Sequence, residues 1–209
     1  MRFIAIFLII SLFAILNSQE VSIMNPPTNT ALLIVDIQND YFPGGPMELV
    51  GATEAGNQAK KLLDLFRQKT LPIIHIQHIA TYPGATFFLP NTRGAEIHES
   101  VSPKEGETII QKHFPSSFRE TTLLEHLRNK KITRLVVIGM MTHMCIDTTT
   151  RAAADLGFEC LLAHDACATR QLSFLGVSIP AQSVQASFLA ALNGVFARVL
   201  SVEEIINQF

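Results

Sequence analysis

The chain alternates two kinds of patterning. Mostly apolar runs occupy residues 31–35, 72–76, 134–138 and 158–163, with a shorter one at 108–111 and a last one at 195–199. Runs without polar alternation predict strands covered on both faces, as in a parallel sheet packed between helices. Between them, residues 53–69 place Ala55, Ala59, Leu62, Leu63 and Phe66 on one stripe, and residues 118–129 do the same with Leu123, Leu124 and Leu127. That spacing is helical. Residues 145–156 are rich in Thr and Ala and stop before Gly157, and residues 180–192 open on Pro180. Glycine just past a helix end and proline at its start fit two further helices. Alternating strands and helices predict a mostly parallel α/β sheet with helices on both faces, in one domain. The stretch 81–107 is long, weakly periodic and bears Pro and Gly. Loops of that length are commonly functional.

The N-terminus has a different pattern. Residues 3–16 are apolar apart from Ser11, follow Arg2, and give way to polar residues from Asn17. A membrane span needs about twenty such residues; this run is shorter and suits the apolar region of a signal peptide. Residues 1–18 are therefore expected to be a signal peptide and 19–209 the folded domain. The expected location is secreted or periplasmic, with no stable membrane span once the leader is removed. The alternative is a leader that stays as an uncleaved anchor.

Composition narrows the partners. The chain is 48% hydrophobic and 16% charged, enough apolar material for a substantial core, and its formal charge is −2. No block of Lys and Arg is present, so nothing points to nucleic acid. A small-molecule substrate fits better. Three cysteines, Cys145, Cys160 and Cys167, are an odd number, so export would leave at least one thiol unpaired or bonded outside the chain. Cys160 and Cys167 read as buried filler.

In open α/β sheets ligands bind beyond the carboxyl ends of the strands. The successive strands deliver there Asp36 to Asp40, then His75, Gln77 and His78, then Lys112 and His113, then Gly139 to Cys145, and last His164-Asp165. An Asp, a Lys and a Cys thus arrive at one rim from three strands. Cys145 is placed to open a helix, where the helix dipole and free amides would lower its pKa toward thiolate. Asp36 could take the thiol proton and return it to a leaving amine, with Lys112 holding the carboxylate.

The residues Ala31-Leu-Leu-Ile-Val-Asp-Ile-Gln-Asn-Asp-Tyr-Phe42, Gln111-Lys-His-Phe-Pro-Ser-Ser-Phe118 and Gly139-Met-Met-Thr-His-Met-Cys145 resemble the isochorismatase-like cysteine hydrolases. The likeness continues through Arg151 to Gly157 and His164 to Thr169, in order. It implies a three-layer α/β/α sandwich around a central, mostly parallel sheet of about six strands, usually in dimers or larger homo-oligomers. It implies a catalytic triad of Asp36, Lys112 and Cys145, with Cys145 as nucleophile and Asp36 as proton shuttle. It also implies a cis peptide at Met140–Met141, with the Met141 and Cys145 amides forming an oxyanion hole. Phe42, His113 and residues of the 81–98 loop are candidate substrate-binding residues; packing is the other reading of each.

Departures from the pattern narrow the activity. Isochorismatases proper lack a cysteine at the nucleophile position, so Cys145 points to cleavage of an amide, carbamoyl or ureido C–N bond through an acyl-enzyme. Nicotinamidases carry an Asp-x-His metal motif after the second strand; here His78 stands where the Asp would be and Ala80 where the His would be. No metal and no cofactor are expected. His75 and His78, three apart on a strand, would face opposite ways. Three other readings stay open: nicotinamidase or isochorismatase-type activity, a non-catalytic binding member of the fold, and redox chemistry with Cys160 or Cys167 as partner thiol.

Overall fold

The structure, a computed structural model, describes residues 29–209; the expected signal peptide lies outside them. The elements run β1 (Thr30–Val35), α1 (Ala52–Gln68), β2 (Ile73–His78), β3 (Thr108–Lys112), α2 (Leu123–Asn129) and β4 (Arg134–Met140). A π-helical turn (Thr142–Ile146) leads into α3 (Asp147–Asp155). β5 (Glu159–Ala168), a hairpin of β6 (Leu172–Phe174) and β7 (Val177–Ile179), α4 (Ala181–Leu192), β8 (Arg198–Leu200) and α5 (Val202–Ile206) complete the chain. Six strands form one sheet in the order β3-β2-β1-β4-β5-β8, every neighbouring pair parallel. Among the described residues no helix is long and apolar enough to cross a membrane.

The unbroken runs have the predicted cause. Leu32 and Ile34 of β1 pack on one side with Ala55, Ala59, Leu62, Leu63 and Phe66 of α1 and Ile205 of α5. Ala31, Leu33 and Val35 pack on the other with Leu123 and Leu127 of α2, Ala153 of α3 and Leu192 of α4. A period-two strand buried on both faces has no place for a polar residue.

Some boundaries differ from the sequence reading. α2 begins at Leu123 rather than 118, because residues 116–121 are held in turns by Ser116 and Thr121 hydroxyl bonds. β5 runs five residues past 163, and its pairing with β4 slips between Val137 and Gly139, a bulge that carries the strand on to Ala168. The hairpin was not expected. Its strands are three residues each, joined by Leu175 and Gly176, both with positive φ (48° and 80°), the backbone hand that a two-residue hairpin loop needs.

β1 lies between β2 and β4, and Leu33 is fully buried there. Leu33→Ala should lower the unfolding free energy by about 3 kcal/mol, read as a fall in the urea midpoint with little change in slope.

Candidate functional site

Four strand ends converge on one ammonium group. Lys112 is the last residue of β3, and its register partner across the parallel pair is His78, the last residue of β2. Asp36 follows β1 directly, and Cys145 lies in the turn after β4. The Lys112 Nζ is 2.7 Å from Asp36 Oδ2, 3.0 Å from His78 Nδ1, 3.1 Å from the Phe114 carbonyl oxygen and 3.2 Å from Cys145 Sγ. Asp36 and Lys112 are fully buried and Cys145 is 5% exposed.

Local structure puts these groups there. Asp36 has φ 51°, a left-handed conformation uncommon for a non-glycine residue. Its amide still donates to the Ile76 carbonyl, so the turn away from β1 starts inside the sheet. Gln38 fastens this turn to β2: its amide nitrogen donates to the His78 and Ala95 carbonyls, and its oxygen accepts the His78 amide. Gly139 pairs with Val35, and a Cβ on it would collide with the Val35 backbone. Only glycine lets β1 and β4 stay this close at φ 133°. The Met140–Met141 peptide is cis. The turn beyond it is tied to the end of β5, where the Thr142 hydroxyl donates to the Ala168 carbonyl and His143 Nδ1 meets the Thr169 hydroxyl at 2.5 Å.

The electrostatics follow from burial. Desolvation works against the Lys112 ammonium, but Asp36 and Cys145 outweigh it and hold its pKa above the ordinary value. Burial, then the Asp36 carboxylate, pushes the Cys145 thiol up to about 12, with Lys112 pulling the other way. This corrects the expected thiolate. Cys145 lies inside the π turn, ahead of α3, and lost hydration outweighs any gain from the helix end. Burial therefore favours the neutral thiol at rest. Asp36 Oδ2 reaches Lys112 only as an ion pair outside hydrogen-bond angles, and neither carboxylate oxygen has a hydrogen-bond donor among the described residues. Burial first, then the neighbouring Cys145 and Asp36, raise the Tyr41 phenol well above the ordinary range.

Asp36, His78 and Cys145 each offer a ligand atom within 4.8 Å of the others, a set able to hold a metal ion. The Lys112 ammonium touches all three residues, so the cation's place is taken by a side chain. His75 is elsewhere, its Nε2 2.9 Å from Glu107 Oε2.

Phe42 and His113 fall outside this cluster. Phe42 stacks on His98, ring centroids 3.4 Å apart at 4°, and both border a cavity of about 360 Å³ whose walls include no triad residue. His113 is exposed and meets the Ile79 carbonyl at 2.8 Å. The 81–98 loop, also a candidate, does reach the cluster, through aromatic residues that the sequence reading did not single out. Phe88 packs edge-on against Tyr41 at 4.6 Å and 5.8 Å from the His78 ring, and Phe87 adjoins Tyr41 and Phe88 at 6.0 and 4.9 Å. The amide of Phe88 donates to Asp40 at 2.5 Å, which seats the 81–98 loop beside the triad. The only signal was the adjacent pair of phenylalanines in that loop.

The isochorismatase domain model matches residues 30–204. The chain belongs to the isochorismatase family. It is 51% identical over 174 residues to the uncharacterized isochorismatase family protein YddQ of Bacillus subtilis, covering 83% of this chain and 97% of that one. A crystal structure described as an isochorismatase hydrolase from Oleispira antarctica superposes with a TM-score of 0.84 at 49% identity, covering 87% and 97%. A streptothricin hydrolase of Streptomyces noursei is 34% identical over 139 residues, 66% of this chain and 49% of that one. Nicotinamidase 3 of Arabidopsis thaliana is 26% identical over 151 residues, 66% and 73%. This family member is a hydrolase of the cysteine type, with Asp36, Lys112 and Cys145 together in one buried site.

Cys145, Cys160 and Cys167 are all free and buried, each with its thiol pushed up to about 12 by burial first. An unfolded thiol loses its proton near pH 8.5, while these stay protonated to about 12, so above pH 8.5 the native state binds more protons than the unfolded one. Stability should fall with rising pH, by up to roughly 1.4 kcal/mol per pH unit for each thiol. Urea melts at pH 8, 9 and 10 should show this slope, and Cys160→Ala should make it shallower.

Proposed function

We propose that this hydrolase cleaves a C–N bond of a small amide, carbamoyl or ureido compound through a thioester on Cys145. The observation that carries the reading is the buried Lys112 ammonium, in contact with both the Asp36 carboxylate and the Cys145 sulfur. With the thiol pushed up to about 12, attack needs a base at hand, and Asp36 has no hydrogen-bond donor of its own to compete with the thiol proton.

The sequence of events follows from the charges. Asp36 takes the Cys145 proton as sulfur attacks the carbonyl carbon. The Met141 and Cys145 amides receive the developing oxyanion. The Met141 amide donates to no acceptor among the described residues, which leaves it available. The protonated Asp36 then gives its proton to the leaving nitrogen, which departs as ammonia or an amine. Water, deprotonated by Asp36, adds to the thioester; the acid is released as the carbon–sulfur bond breaks, and Asp36 returns the proton to the Cys145 sulfur. Lys112 stays an ammonium throughout. The nicotinamidase alternative would share these steps without a metal, since Lys112 fills the cluster a metal would use.

The test is a panel of small amides, ureido and carbamoyl compounds and nicotinamide, followed by ammonia release and intact mass. A substrate should leave an acyl adduct on Cys145, and Cys145→Ala should lose at least about a thousandfold in kcat. Asp36→Asn should fall as far. Lys112→Met should lose about a hundredfold or more. Undiminished turnover in Cys145→Ala would sink the nucleophile assignment.

A further inference from the structure

His78 is the one member of the buried cluster that the proposed steps leave without a task. Its position is closely fixed. The backbone N–H and C=O of His78 both bond to the Gln38 side chain, at 2.7 and 2.9 Å. It is the register partner of Lys112 in neighbouring parallel strands, so both side chains leave the sheet on the same face. Phe88 packs against its ring.

An ammonium has three protons to donate. Around Lys112 stand four acceptors within 3.2 Å: Asp36, His78, the Phe114 carbonyl and the Cys145 sulfur. Hydrogen-bond geometry holds for His78, Phe114 and Cys145, while Asp36 stands beside the ammonium as an ion pair. In the resting site the three protons therefore go to His78, Phe114 and the Cys145 sulfur. That assignment requires a lone pair on His78 Nδ1, so its proton is on Nε2. We propose that His78 is a positioning residue: the lone pair on its Nδ1 accepts from the Lys112 ammonium and so holds it with another proton on the Cys145 sulfur, beside Asp36. No covalent bond changes at His78; the hydrogen bond that Lys112 already gives the sulfur strengthens as the thiolate forms. The surroundings keep the ring neutral. Burial first, then the charges of Lys112 and His113, lower its pKa to about 4 against the opposing pull of Asp36.

The inference rests on the proposed nucleophile, and its test separates the two. Two variants suffice, His78→Ala and His78→Asn, since an asparagine carbonyl oxygen lies close to the place of Nδ1 and restores an acceptor that cannot titrate. On any amide the wild type turns over, His78→Ala should lose about tenfold in kcat with KM within about twofold, and His78→Asn should recover to within about twofold of wild type. Alkylation of Cys145 by iodoacetamide, followed by peptide mass, should keep the same order without needing a substrate. Wild-type behaviour in His78→Ala, or a His78→Asn as slow as His78→Ala, overturns the proposal. Nitrogen-15 NMR of the unmodified protein gives an independent reading: an unprotonated, hydrogen-bonded Nδ1 supports it, and a protonated Nδ1 overturns it even if His78→Ala fails to fold. If no amide is cleaved but the alkylation order holds, the C–N hydrolase reading fails alone. If turnover depends on Cys145 but the variants match wild type, the positioning role fails alone.

Discussion

The site depends on a cation kept away from water. Lys112 is fully buried, and removing an ammonium from water costs several kcal/mol unless the protein replaces its hydration. Asp36 supplies the opposite charge, while the Phe114 carbonyl, the His78 imidazole and the Cys145 sulfur supply the remaining partners. Those groups come from four different strand ends, β3, β2, β1 and β4, which are consecutive neighbours in the sheet. A parallel sheet is what makes this possible, because every strand then brings its carboxyl end to the same edge. The ammonium thus joins a fold-level property to a cluster a few ångströms wide.

Holding four backbones at that edge places demands on residues that do no chemistry. Gly139 lets β4 approach β1 where a side chain would strike Val35. Gln38 bridges the ends of β1 and β2 and reaches the loop at Ala95. Thr142 and His143 tie the cysteine-bearing turn to the far end of β5, which reaches that level only because of its bulge. The aromatic cluster of Tyr41, Phe87 and Phe88 packs beside the His78 ring and adds apolar surroundings at that edge, where an uncompensated charge is costly.

Much of this was legible in the sequence, for definite reasons. Strands buried on both faces read as unbroken apolar runs, so β1 and β4 stood out. α1 stood out because a long helix on one face of a sheet repeats its apolar stripe several times. The three polar residues that end or follow such runs, Asp36, Lys112 and Cys145, were legible because the sheet's own logic sends strand ends to one edge. The hairpin was not: three-residue strands with exposed Phe174, Leu175 and Val177 leave too short a pattern. The π turn around Cys145 runs straight into α3 with no glycine or proline to mark where one ends and the other begins. The direction of the thiol pKa was misjudged because helix-end effects are local and visible in sequence, whereas burial is set by everything packed above. The place of Phe88 beside His78 depends on a long loop folding back, which no periodicity records.

The neutral thiol fits the proposed reaction better than a preformed thiolate would. If Cys145 were ionised while Asp36 kept its charge, two anions would share the Lys112 cation in a buried site. Desolvation and like-charge repulsion both oppose that state. Moving the proton from sulfur to Asp36 instead leaves the total charge unchanged and only exchanges which anion faces the ammonium. Lys112 already touches both, at 2.7 and 3.2 Å, so the exchange needs no new ion pair. A low-dielectric site penalises creation of charge far more than its transfer between neighbours around a fixed counter-ion. Burial therefore silences the thiol at rest while leaving attack coupled to proton transfer accessible, and it does so only as long as the cation stays between the two.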